Sequence, residues 1–139
     1  MTMLKYPLLV AWLAGCAGSG ESPGGDTAGA IEAPEVSLLS PLDAATVCGT
    51  PLALALAVEN FTLVGFEEEQ AREGIGHVDI KLNGQNRWMS DQTEFEIPQV
   101  DEGLYLVEAV LVHEDHFPIE PYTADSVTVT VDTSACAGR

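Results

Sequence analysis

Three histidines, His77, His113 and His116, are the side chains best suited to chemistry in this 139-residue chain. A neutral imidazole binds zinc or copper through a ring nitrogen, and a neighbouring carboxylate can complete the ligand set. His113-Glu114-Asp115-His116 puts two imidazoles and two carboxylates in one short segment. The candidate metal ligands are therefore His77, His113, His116 and Asp115, with zinc or copper as the ion. Met89, a soft ligand that would favour copper, is placed on a different strand. The spacing matches no recognised metal motif, and histidines at strand ends are commonly plain exposed polar residues. Signals for catalysis are missing: there is no Gly-x-Ser-x-Gly elbow, no His-Glu-x-x-His helix and no phosphate loop. The expectation is a protein that is not an enzyme and needs no cofactor, with the metal as the alternative.

The elements that must position these residues read as short strands. From Val36 onward apolar residues alternate over short runs divided by turn signals, and no stretch sustains a helical period. Strands are expected at Glu35 to Leu39, Pro51 to Glu59, His77 to Leu82, Gln85 to Met89, Thr93 to Ile97, Asp101 to Leu111 and Asp125 to Asp132. Leu52, Leu54, Leu56 and Val58 share one face of the second. In the third, Val78, Ile80 and Leu82 point inward, and His77, Asp79 and Lys81 outward. Asn83-Gly84 is a two-residue hairpin signal, because both residues tolerate positive φ. Tyr105, Val107, Ala109 and Leu111 face the core, as do Val127, Val129 and Val131. The long connection from Asn60 to Gly76 carries Glu67 to Glu73, the only stretch that reads as a helical turn. About seven strands in this pattern imply an all-β antiparallel sandwich.

Particular residues narrow the sandwich. Asp101-Glu102-Gly103-Leu104-Tyr105-Leu106-Val107 resembles the Asp-x-Gly-x-Tyr-x-Cys pattern of immunoglobulin domains, with Val107 in place of the cysteine. The resemblance implies an immunoglobulin-like fold with Tyr105 at the tyrosine corner. Pro41-Leu42-Asp43-Ala44-Ala45 resembles the Pro-x-Asp-Gly-Ala opening of bacterial immunoglobulin-like domains, with Ala44 in the glycine position. In that topology the B–C and F–G loops share one end of the sandwich, so His77, His113 and His116 are expected at one tip. Gly76-His77-Val78-Asp79-Ile80-Lys81-Leu82-Asn83-Gly84 resembles the Gly-His-x-His-x-x-x-Asp-Gly motif of exported bacterial immunoglobulin-like lipoproteins. Here Asp79 stands at the second histidine and Asn83 at the aspartate. Val112 to Pro118 resembles their x-Asp-x-Asp-His-x-Pro segment.

The start of the chain gives an address. Lys5, a short apolar run and Leu13-Ala14-Gly15-Cys16 make an export signal too short to span a bilayer. Leu-Ala-Gly-Cys resembles the lipobox of bacterial lipoproteins, which implies lipidation of Cys16 and a membrane anchor. Ala17 after the cysteine favours the outer membrane by the same resemblance. The expected organisation is a signal peptide over 1–15, the lipidated Cys16 and a flexible linker over 16–34, and an immunoglobulin-like domain over 35–139. The linker is rich in Gly, Ser, Pro and Ala, and such a chain reaches some 20–25 Å on average.

With Cys16 lipidated, Cys48 and Cys136 remain, an even pair that reads as a disulfide in an exported protein. Cys48 lies between the first two strands and Cys136 beyond the last. In immunoglobulin topology the later part of the first strand runs parallel to the last, which brings both cysteines to one end. Closing that loop is worth about 4–5 kcal/mol on the chain-entropy argument. The formal charge is −17, with 22 acidic residues against five Lys and Arg. A surface this acidic repels nucleic acid and anionic lipid head groups. The function expected from the sequence is a lipid-anchored binding or structural module of the bacterial cell envelope, meeting an unidentified protein or small ligand.

Overall fold

A computed structural model describes residues 30–66 and 72–137. Cys16, the export signal and most of the linker lie outside the described residues, as does most of the expected helical turn at 67–73. The compact unit spans Ile31–Arg139. Its strands are β1 (Glu35–Ser40), β2 (Ala45–Val47), β3 (Leu52–Glu59), β4 (Thr62–Leu63), β5 (Ile75–Leu82), β6 (Gln85–Ser90), β7 (Glu94–Ile97), β8 (Gly103–Val112) and β9 (Ala124–Val131). A short 3₁₀ turn, Thr133–Cys136, follows.

The strands form two sheets. One has the order β1-β3-β7; the other has the order β2-β9-β8-β5-β4, with β6 also paired to β5. Strand alternation explains the layering, since residues two apart line one face. Leu52, Leu54 and Leu56 of β3 are buried against Val78, Ile80, Val107, Leu111 and Val129 of the other sheet. The result is a two-sheet β-sandwich, as the alternation implied, and an immunoglobulin-like one, as the resemblance implied.

The first strand leaves one sheet for the other. β1 pairs antiparallel with β3, the chain turns at Leu42 to Ala45, and β2 then pairs parallel with β9. The turn is fastened to β9 by Ala44 N–H donating to Thr128 O at 2.7 Å and Thr128 N–H donating to Asp43 Oδ1 at 2.8 Å. Ala44 sits at φ 62°, the left-handed conformation that explains why a glycine suits this position. The parallel β2–β9 pairing brings Cys48 to Cys136, and they form a disulfide with Cα atoms 4.9 Å apart. Asp132 caps the 3₁₀ turn by accepting from Ser134 N–H at 2.8 Å; the Ser134 side chain and then this backbone N–H lower its carboxyl pKa.

The β5–β6 hairpin turns at Asn83 (φ 51°) and Gly84 (φ 81°), as the dipeptide implied. Asn83 also continues the β5–β8 ladder. Its backbone N–H donates to Leu106 O, and its Oδ1 accepts from Leu106 N–H at 2.8 Å. Tyr105 is half-buried against the core with its ring over Gly103. Among the described residues its hydroxyl makes no bond back to backbone, so ring packing alone carries the corner.

One expectation is corrected. Alternation puts His77 and Asp79 on an outward, solvated face of β5, yet both are only 1% exposed. Val110 and Val112, their cross-strand neighbours on β8, are equally buried. The cause is the segment after β8. It folds back over the sheet, with His113 N–H donating to Phe117 O, Ile119 N–H to Leu111 O and Leu111 N–H to Thr123 O. This end of the second sheet is therefore covered on both faces.

Candidate functional site

The site is built where that covered end meets the hairpin β5–β6. His77 and Asp79 are two residues apart on β5 and so share its outer face. Gly76 makes the close approach possible: a Cβ there would lie 1.9 Å from Val112 O. β4, absent from the sequence reading, runs parallel to the start of β5, and Val64, the residue just after it, supplies the carbonyl that orients His77. His77 Nδ1 lies 3.1 Å from Val64 O. A carbonyl only accepts, so Nδ1 carries the proton and Nε2 keeps the lone pair. The Phe66 ring packs on the imidazole at 4.7 Å between centroids.

His116 approaches from the folded-back segment. A tight turn in which His116 N–H donates to His113 O places it at φ 64°. Its ring stands 5.4 Å from that of His77, and its Nδ1 is 3.7 Å from Asp79 Oδ1. Asp79 Oδ2 has a long contact of 3.5 Å with Asn86 Nδ2. Asp79 Oδ1 is buried with no hydrogen-bond partner. Burial pushes the Asp79 carboxyl above its ordinary pKa; His116, then His77 and Lys81, offset part of that rise. Beside the cluster lies an apolar cleft of about 380 Å³, lined by Phe66, Asn86, Arg87, Trp88 and Met89.

The structure thus brings two of the four expected metal ligands together, His77 and His116, and adds Asp79. His113 and Asp115 serve the turn. Asp115 is exposed and its Oδ1 accepts from Phe117 N–H at 3.2 Å. His113 is half-buried, with Nδ1 lacking a partner, as are both carboxylate oxygens of Glu114. Among the described residues, no three His, Cys, Asp or Glu side chains stand in metal-holding geometry as they are. Met89 is 45% exposed on the cleft wall, and it pairs with Asp79 across the hairpin. Asp79 stands at the second histidine of the resembled Gly-His-x-His motif, where a carboxylate can still coordinate a metal, but alternation puts it in solvent and it is absent from the expected ligand set. The available signal was the run Ala109-Val110-Leu111-Val112, apolar on both faces, which marks a strand end covered on both sides.

No protein-family model matches the chain, and no curated protein matches it. Among solved structures, it superposes on the fibronectin(III)-like modules of Clostridium thermocellum CbhA with a TM-score of 0.50 and 18% identity, covering 70% of this chain and 96% of that one. The fold is fibronectin(III)-like. An engineered protein of known structure also aligns, with a TM-score of 0.47, 15% identity, and coverage of 74% of this chain and 21% of that one.

Proposed function

We propose that this chain is a lipid-anchored binding or structural module of the bacterial cell envelope, held at the outer membrane through Cys16. The reading is carried by one combination: a Leu-Ala-Gly-Cys leader and a Gly/Ser/Pro linker ahead of a fibronectin(III)-like domain closed by a disulfide. A disulfide suits an oxidising compartment, and the linker gives the domain reach from a membrane surface. The reading assigns the module no reaction, only a protein or small-ligand partner. Its acidity disfavours nucleic acid. Replacing Cys16 with Ser is the test: the protein is expected to leave the membrane fraction and to stop incorporating labelled palmitate. A variant that stays membrane-bound and labelled overturns the anchoring.

A second reading, a metal-binding tip, is favoured by one observation, the buried Asp79 oxygen without a partner beside His116. On this reading the ion is zinc or copper.

A further inference from the structure

We infer that the metal ligands are His77, Asp79 and His116, rather than the His113 and Asp115 of the loop, and that they hold one zinc or copper(II) ion. The inference rests on the metal-binding reading and replaces its ligand set. A buried carboxylate oxygen with no donor is costly, and a cation is the partner that removes the cost. His77 has the arrangement of a metal-ligating histidine: one ring nitrogen fixed by a backbone carbonyl, the other left with its lone pair.

Two distances come close to those of a tetrahedral site without reaching its closed geometry. Ligand atoms about 2.0–2.1 Å from zinc and at the tetrahedral angle lie about 3.3–3.4 Å apart. Asp79 Oδ1 and His116 Nδ1 are 3.7 Å apart. The centroids of two imidazoles on one such ion are about 5.2 Å apart; those of His77 and His116 are 5.4 Å apart. The arrangement is an open precursor. His77 and Asp79 are buried on a strand, while the exposed His116 is the ligand that moves inward to close the site. A fourth position is left for water or for a partner's side chain.

Isothermal titration of the full-length chain in detergent, without a polyhistidine tag, against zinc chloride and copper(II) sulfate tests this. One ion per chain is expected. Asp79→Asn, nearly isosteric, and His116→Ala, at an exposed loop position, should each weaken binding at least tenfold. The His113→Ala, Asp115→Asn double variant should bind as the parent does. No binding by the parent chain overturns the metal reading altogether. Binding that survives Asp79→Asn and His116→Ala but is lost in the double variant overturns this ligand set alone. Binding unchanged in every variant places the ion elsewhere and also overturns it.

Discussion

Asp79 Oδ1 lies 3.7 Å from His116 Nδ1, buried on the outer face of β5 and without a hydrogen-bond donor. A carboxyl whose folded-state pKa is raised binds its proton more tightly folded than unfolded. Folding stability is then greatest at acid pH. It falls as pH rises from the ordinary value of 3.8 through the raised value. Asp79→Asn removes that slope. In chelator, it should be more stable than the parent at neutral pH by on the order of 1 kcal/mol, with the gap closing at acid pH. Urea unfolding at several pH values measures this; a gap that widens on acidification contradicts it.

Ala44 pays a conformational penalty at φ 62° that glycine does not. A left-handed non-glycine residue costs about 1–2 kcal/mol, and glycine's extra freedom when unfolded returns part of this. Ala44→Gly is expected to stabilise by about 0.5–1 kcal/mol. Thermal denaturation reads the change, and a lowered midpoint refutes it.

Gly76 and Gly84 should respond differently to alanine. At Gly76 the new Cβ meets Val112 O and the Phe61 ring, so β5 or β8 must shift. The cost is about 1–3 kcal/mol, with His77 and Asp79 displaced along with the strand. At Gly84 the space is open, and only φ 81° opposes the substitution, at about 1 kcal/mol. Amide chemical shifts along β5 distinguish the two: Gly76→Ala should perturb them widely, Gly84→Ala only near the turn.

The Cys48–Cys136 disulfide closes a separation of 88 residues and ties the start of the module to its end. Its reduction should cost about 2–5 kcal/mol. Guanidinium unfolding with and without reductant measures the difference, and coincident curves would show that β2–β9 pairing suffices alone.

Much of the fold was legible because alternation is unambiguous where one face is wet. Leu52, Leu54 and Leu56, or Val127, Val129 and Val131, could face only inward. The immunoglobulin resemblance implied the parallel β2–β9 contact, and the pairing of Cys48 with Cys136 agrees with it. β4 escaped notice because Thr62 and Leu63 are too few to show a period. The candidate site was half legible. Shared topology brought His77 and His116 to one end, but a two-residue period reports the face of a strand and not what lies over it. The fold-back after Val112 buries Asp79, and it is set by backbone bonds between His113 and Thr123 that leave little trace in residue type.

The most direct measurement is the titration of the Asp79 side-chain carboxyl carbon by NMR in the metal-free protein. A midpoint above 3.8 is expected, rising further in His116→Ala because the histidine opposes the shift. A midpoint at or below 3.8, unmoved by His116→Ala, would contradict a buried carboxylate, only partly offset by His116, at the centre of the site.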